Sequence, residues 1–206
     1  MQAITDLIMY FHKGGLVMWP LLACSITVIA IAIERFIYYK GADSGAAFAA
    51  SYCATVRGRD IAAATELARK ADGACAQLLA DAVENSGSKE ELSAFLESRA
   101  GIFMATLRDK LDYLGIIVTM SPLLGLLGTI VGMIGAFSIF NVEAGAPLAI
   151  TGGIGEALIA TATGLCVAIM SLCAHAYFAH RMDNMITDVE QCFSALLEAE
   201  TRRARA

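Results

Sequence analysis

Charged residues are almost absent from three long stretches of the chain. Residues 14–33 and residues 113–142 contain no Asp, Glu, Lys or Arg, and residues 156–178 contain only Glu156, at their start. A helix needs about 20 mostly apolar residues to cross the ~30 Å hydrocarbon layer of a bilayer. The pattern therefore predicts an all-α membrane protein with three transmembrane helices.

The more polar segments are predicted to form helices joined by short turns. The helix that follows residue 87 has a capping box at its start, in which Ser88 and Glu91 would each bond backbone donors. No breaker separates this helix from the second apolar stretch, and the third stretch likewise runs on through residues 182–197. We therefore expect the helices to extend well beyond the apolar stretches. The apolar faces of these extensions would pack either within the chain or between copies of it. Breaks are expected at turn-forming residues, namely Gly58 and Asp60, Asp72 and Gly73, and Asn85 to Gly87.

The distribution of basic residues predicts the orientation of the chain. Only 17% of the residues are charged and the mean hydropathy is +0.62, whereas soluble domains are about one-quarter charged. Every Lys and Arg except Lys13 lies in residues 34–112 or 181–206, which the positive-inside rule places in the cytoplasm. The predicted division is an outer segment 1–13, transmembrane helix 14–33, a cytoplasmic helical domain 34–112, transmembrane helix 113–142, an outer loop with the start of the third helix 143–155, transmembrane helix 156–178 and a cytoplasmic C-terminal helix 179–206.

One alternative for the first span is a cleaved lipoprotein signal. Residues 21–24, Leu-Leu-Ala-Cys, resemble a lipoprotein cleavage box. However, the apolar run continues to Ile33 and basic residues follow it, which is the pattern of an uncleaved membrane anchor.

Candidate chemistry outside the membrane is sparse. The six cysteines form no CxxC pair and the three histidines are isolated, so no metal site and no cofactor are predicted, and the cysteines are interpreted as small packing residues. No nucleophile with a paired base is apparent, so an enzyme is not expected. Arg202, Arg203 and Arg205 are interpreted as a solvated tail rather than a nucleic-acid footprint.

Glycines recur along the second and third spans. Small residues let membrane helices approach closely, because lipid provides little hydrophobic drive for helices to associate. These glycines therefore indicate packing faces, although a functional use is equally open. The residues concerned are Gly125, Gly128, Gly132 and Gly135 in the second span and Gly164 in the third.

Glu156 is the most informative residue of the apolar stretches. A charged side chain within the membrane costs roughly 2.5–3.5 kcal/mol by insertion scales and usually faces a cavity or a partner. A carboxyl group removed from water holds its proton more tightly, so it can exchange protons near neutral pH. The alternative is a structural glutamate kept wet at the outer interface. Thr163 lies two helical turns after Glu156 on the same face, whereas Thr161 is offset by roughly 140°.

The two inner spans resemble the MotA/TolQ/ExbB proton-channel family. The resemblance lies in residues 122–133, PLLGLLGTIVGM, in residues 153–165, GIGEALIATATGL, and in Glu34-Arg35 after the first span. By motif, Thr129, Glu156 and Thr161 match the pore-lining polar residues of the family. Thr163 is added on helical spacing, since family members often have an apolar residue there, and whether Thr161 or Thr163 faces the pore stays open.

The resemblance implies an assembly as well as a fold. Family members form a pentameric ring around a central pore that holds the single transmembrane helices of an ExbD/TolR/MotB-type partner. The partner's aspartate is the main proton carrier, and a TonB-like or TolA-like transducer receives the energy. Three spans favour the ExbB/TolQ branch over the longer MotA stators.

The function expected from the resemblance is therefore that of an inner-membrane motor. An ExbB-like channel-forming subunit would be driven by the proton-motive force and would energise TonB-dependent transport across the outer membrane. It would lie in the bacterial inner membrane with its N-terminus outside and its C-terminus in the cytoplasm. The alternatives are a TolQ-like subunit for envelope integrity and division, and a non-conducting membrane scaffold.

Overall fold

The structure, a computed structural model, is helical throughout its regular elements and describes residues 11, 13–85, 89–142 and 147–203. Within these residues three helical segments are long and apolar enough to cross a membrane: Met18–Arg57, Glu90–Ser138 and Thr151–Arg203. This confirms the prediction of an all-α, multi-pass membrane protein. The helices are α1 (Met18–Ala42), α2 (Ala46–Arg57), α3 (Ile61–Lys70), α4 (Ala74–Asn85), α5 (Lys89–Arg108), α6 (Leu111–Val142) and α7 (Pro147–Arg203).

Some sequence predictions fall outside the described residues. These are most of the predicted outer segment 1–13, Ser88 of the predicted capping box, the central part of the predicted outer loop (residues 143–146), and Arg205 of the tail.

The chain divides into two compact units. The membrane unit comprises Met1–Ile33 and Lys110–Ala176, and the charged unit comprises Glu34–Asp109 and Tyr177–Ala206. The first boundary therefore falls at Glu34, the charged residue that ends the first apolar stretch. Both α1 and α7 contribute residues to the two units.

The membrane unit buries small residues and leaves many of its large apolar ones exposed. Ala157 and Ala160 are buried together with a few larger residues such as Leu21, whereas Leu123 and Leu158 are about two-thirds exposed, at 64% and 65%. Water-soluble domains instead place most large apolar side chains in the core. Exposed leucines and isoleucines cost nothing where the surrounding medium is hydrocarbon, so the arrangement suits a helix bundle in lipid.

The charged unit has a conventional core built from the C-terminal part of α1, from α2 to α5 and from the C-terminal part of α7. Two of its expected breaks are present, whereas residues 86 and 87 of the third lie outside the described residues. α2 ends at Arg57, and the Asp60 carboxylate caps α3 by accepting a hydrogen bond from the Ala63 amide at 2.8 Å. α3 ends at Lys70 and α4 begins at Ala74, as the Asp72-Gly73 pair predicted. The largest fully buried side chains of this unit are Tyr39, Tyr52, Leu79, Leu96, Leu107 and Leu196.

One predicted continuity is wrong and another is confirmed. α5 does not run into α6 but ends at Arg108, and Lys110 adopts a left-handed backbone conformation with φ 65° before α6 begins at Leu111. The sequence contains no breaker there, since Lys110 is neither Gly nor Pro. By contrast, α7 is a single helix of 57 residues that continues from the third apolar stretch to Arg203.

Two side chains from α1 explain why α5 can end at Arg108. The Arg35 guanidinium donates to the carbonyl oxygen of Thr106 at 3.0 Å, and the Tyr39 hydroxyl donates to that of Leu107 at 2.7 Å. The last carbonyls of a helix lack partners within the helix and need others. Because α1 supplies these donors, the helix can end without a glycine.

Arg35 is a buried charge with several partners. Its side chain is 3% exposed, and Nε and Nη2 donate to the Glu34 carboxylate at 2.6 and 2.8 Å. Hydrogen bonding to Glu34 raises the pKa of Arg35 further above its ordinary value, although burial opposes this. The guanidinium therefore stays protonated and holds its acceptors at every accessible pH.

Three cysteines that are distant in sequence meet in the charged unit. Cys53 and Cys192 have their sulfur atoms 3.9 Å apart, and Cys75 is buried with them. Burial raises the pKa of Cys53 to about 11, and a hydrogen bond with Cys75 together with burial raises that of Cys192. Buried thiols that hold their protons this tightly react poorly, which agrees with the interpretation of Cys53 and Cys192 as packing residues.

We expect Arg35→Ala to lower the free energy of unfolding by about 2–3 kcal/mol, because it removes charge-assisted hydrogen bonds and leaves buried carbonyl oxygens without donors. The measurement is thermal unfolding of the detergent-solubilised full chain. Arg69→Ala is the matched control, since Arg69 also pairs with Glu66 and Glu84 but is 51% exposed. Its midpoint should stay at the wild-type value. Equal effects of the two substitutions would contradict this account of Arg35.

Candidate functional site

The site is built on a seam of close backbone contacts between α6 and α7. A Cβ atom on Gly164 would lie 2.6 Å from the Ser121 carbonyl oxygen and 3.0 Å from the Gly125 Cα. A Cβ on Gly125 would in turn lie 3.1 Å from the Cα of Thr161. Backbone atoms cannot move aside as a flexible side chain can, so only glycine fits these positions without separating the helices.

The same seam continues for two more turns. A Cβ on Gly128 would overlap that of Ala160, and a Cβ on Gly132 would lie 3.0 Å from the carbonyl oxygen of Gly153. The predicted GxxxG pair, Gly128 and Gly132, thus faces α7 at two successive levels. Four of the five glycines that the sequence indicated for packing lie at this seam.

Gly135 is the exception among the predicted packing glycines. No atom lies within 4 Å of the position that its Cβ would occupy. It instead lines an open groove of about 410 Å³ formed by residues of both α6 and α7. Gly135 therefore does not provide a close helix contact, and its lack of a side chain leaves open space. The groove is lined by Val131, Gly132, Gly135, Ala136, Gly152, Gly153 and Glu156.

Among the described residues that line this groove, Glu156 is the single ionisable one. It is half-buried and lies nine residues after the start of α7 at Pro147, or about 14 Å along the helix at ~1.5 Å per residue. Among the residues that the structure describes, its carboxylate takes part in no hydrogen bond or ion pair. The groove thus presents a carboxylate with free acceptor capacity in otherwise apolar, glycine-rich walls.

The carboxylate lies against a residue that sequence reasoning missed. A Cβ atom on Gly15 would overlap Oε1 of Glu156 and lie 2.7 Å from Cδ. Gly15 also has a positive φ of 73°, which side-chain-bearing residues rarely adopt. The available signal was the Gly14-Gly15 pair at the start of the first apolar stretch, but nothing in the sequence linked it to Glu156.

The three predicted threonines all donate to backbone carbonyls, as hydroxyls in membrane helices often do. Thr161 differs from the others because its hydroxyl is 3.1 Å from Gly125 O on α6 as well as 3.1 Å from Ala157 O on its own helix. Thr163 donates to Ile159 O at 2.8 Å and Thr129 to Leu126 O at 2.6 Å. The structure therefore places Thr161 at the α6–α7 seam.

Ser121 adds an unexpected polar group to the seam. Its side chain is fully buried, and its hydroxyl has no hydrogen-bond partner among the described residues. Ser171, also fully buried, donates to the Leu114 carbonyl at 2.9 Å and ties α7 to α6 further along. Hydroxyl groups thus join the two helices at the levels of Thr161 and Ser171.

Comparison with known proteins gives a consistent result. The profile of the MotA/TolQ/ExbB proton channel family matches residues 68–191, which include α6 and Glu156 but not Gly15. The chain is 34% identical over 168 residues to the ExbB-like 1 biopolymer transport protein of Synechocystis sp., covering 79% of this chain and 66% of that protein. It is 33% identical to the ExbB-like 3 protein of the same organism, covering 77% and 78% respectively. An ExbB homolog of Methanothermobacter thermautotrophicus is 33% identical over 103 residues, which are 50% of this chain and 37% of the relative.

We expect Gly164→Ala to weaken the α6–α7 seam, because the added methyl group meets the backbone of Ser121 and Gly125. The cost of overpacking is typically about 1–3 kcal/mol, which thermal unfolding in detergent would show as a lower midpoint. Gly135→Ala is the matched control in the same helix pair and should unfold like the wild type, since its Cβ meets open space. If Gly135→Ala were destabilised and Gly164→Ala were neutral, the close backbone contact described here between α6 and α7 would be contradicted.

Proposed function

Because this chain belongs to the MotA/TolQ/ExbB proton channel family, we propose that it is the channel-forming subunit of a motor in the bacterial inner membrane. The proton-motive force would drive the motor, and the motor would energise TonB-dependent transport across the outer membrane. The ExbB-like relatives support this branch over the TolQ-like alternative.

The observation that carries the proposal is Glu156 in its groove. A carboxylate in a membrane helix is costly, and the cost is usually offset by a partner, a cavity or a proton. Here the cavity is present and the described residues provide no partner. A carboxyl group in this setting can accept a proton from one side of the membrane and release it to the other.

The groove also supports the proposed assembly. Gly132, Gly135, Gly152 and Gly153 leave about 410 Å³ of open space beside the carboxylate, enough for side chains of another helix to enter. In a homopentamer this space would face a lumen shared between protomers. A single-span ExbD/TolR-like subunit would occupy that lumen, and its aspartate would exchange protons with Glu156. A TonB-like transducer would then take up the motion.

The threonines would complete the polar path. Each hydroxyl donates to a backbone carbonyl but keeps lone pairs that can accept from water or from a proton carrier. Thr161 joins α6 to α7 within two turns of Glu156, so it would both hold the seam and line the path. Thr129 and Thr163 would extend the path along the two helices.

Glu156→Gln should abolish proton flux while the complex still assembles, because the amide has nearly the same shape but cannot take up and release a proton near neutral pH. The native complex would be purified from host membranes through a tag on this chain, reconstituted in vesicles and followed with a pH-sensitive dye. Glu190→Gln, an exposed acid further along α7, should conduct normally. Wild-type flux in Glu156→Gln would favour the scaffold alternative.

Thr161→Val should reduce flux several-fold and more than Thr163→Val does, because of the two hydroxyls only that of Thr161 lies within hydrogen-bonding distance of a carbonyl oxygen on each helix. Thr27→Val is the matched control, since Thr27 donates only to Ala23 O within α1 at 2.8 Å. The same vesicle assay measures all three. A larger loss in Thr163→Val would instead identify Thr163 as the residue that faces the proton path.

A further inference from the structure

Gly15 meets Glu156 at a point where two independent constraints both require glycine. The first is steric: a Cβ would overlap Oε1 and lie 2.7 Å from Cδ and 3.3 Å from Cγ of Glu156. The second is conformational, since φ is +73° and residues with a side chain rarely adopt this region. The Glu156 carboxyl group therefore rests on bare backbone.

The backbone at Gly15 is held in place by the packing that follows it. Val17, Met18 and Leu21 form a buried cluster against which Leu124 of α6 and Ile159 of α7 pack. The Met18 amide donates to the Gly15 carbonyl at 3.2 Å, which closes the turn that begins α1. Ile159 is three residues after Glu156 and so lies on the same side of α7. The start of α1 is thus anchored to the helix that carries the carboxylate, one turn away from it.

The position of the turn has an electrostatic consequence. Gly15 lies three residues before the first residue of α1, and the N-terminus of a helix carries a partial positive charge. Glu156 accepts no hydrogen bond from the described residues, and the backbone of Gly15, close to the start of α1, lies directly against its carboxylate. The groove that Glu156 also lines has mostly glycine in its walls.

We propose that Gly15 is a positioning residue for proton exchange by Glu156. Its bare backbone contacts the carboxylate from the start of α1, apart from the residues that line the groove, and any side chain at residue 15 displaces the carboxylate. The proposal rests on the proposed role of Glu156 in proton transfer. It adds the first span, through Gly15, to a site otherwise built from α6 and α7.

The test is a rescue experiment. Gly15→Ala should lower proton flux about tenfold in the reconstituted native complex, because the methyl group displaces the carboxylate. Glu156→Asp shortens the side chain by one methylene and makes room for the added methyl group. The double variant should therefore conduct protons at least threefold faster than Gly15→Ala alone. In the wild-type background the same Glu156→Asp change should lower flux. Backbone strain alone would be identical in Gly15→Ala and in the double variant, so it predicts no rescue.

Two further variants keep the result interpretable. Gly45→Ala is the matched control, because Gly45 also has a positive φ, 82°, but a Cβ there would meet no atom within 4 Å, and it should conduct normally. Gly15→Asn is the second test if Gly15→Ala does not assemble, since Asn tolerates positive φ but still carries a Cβ, and its flux should also fall. Wild-type flux in either residue-15 variant, or a double variant no better than Gly15→Ala, would overturn the proposal.

Carbodiimide labelling of Glu156, read by mass spectrometry of the full chain, separates this proposal from the proposed function. The rate of labelling reports the setting of the carboxyl group without requiring transport. Gly15→Ala should change the rate at least threefold and Gly45→Ala should not. If labelling responds in this way while Glu156→Gln conducts normally, the contact between Gly15 and Glu156 is supported, and the proposed role of Glu156 in proton transfer is refuted. An unchanged labelling rate in Gly15→Ala overturns the positioning role.

Discussion

The close approach of two helix backbones is the constraint on which the membrane unit depends. In lipid, large apolar side chains gain little by leaving the medium, so helices associate through van der Waals contact and hydrogen bonds between near backbones. Gly164 against Ser121 and Gly132 against Gly153 provide that contact. Thr161 and Ser171 add hydrogen bonds across the same pair of helices. Large side chains such as Leu123 and Leu158 are consequently left to face outward.

The same seam creates the candidate site. Gly132 and Ala136 both approach Gly153 closely, whereas a Cβ on Gly135 would meet no atom within 4 Å, and Gly135 lines the open groove. Glu156 lines the same groove. The glycine residues thus have two physical uses within one helix pair: they allow close contact along the seam and leave open space beside Glu156. The start of α1 closes one side of the carboxylate through Gly15.

The charged unit is stabilised by a different means. Its core contains large side chains such as Tyr39, Tyr52 and Leu196, as expected for helices packed in water. Arg35 and Tyr39 satisfy the carbonyl groups at the end of α5, so that helix ends where no glycine or proline marks an end. A buried arginine is tolerated there because Glu34 and a backbone oxygen are both within hydrogen-bonding distance.

The motifs at residues 122–133 and 153–165 indicated the family by resemblance, and the apolar pattern by itself determined the class of the protein and its three long apolar helices. These properties depend on the solvent that surrounds each segment, which is encoded locally by composition. The helix breaks at Gly58–Asp60 and Asp72–Gly73 could also be predicted from the sequence, because turn residues act through their own backbone conformation. Only the tertiary structure decided that α5 ends at Arg108, that Thr161 joins the seam while Gly135 lines a groove, and that Gly15 lies against Glu156. Each of these depends on atoms from a helix distant in sequence, and periodicity within one helix carries no information about which neighbour that helix will meet.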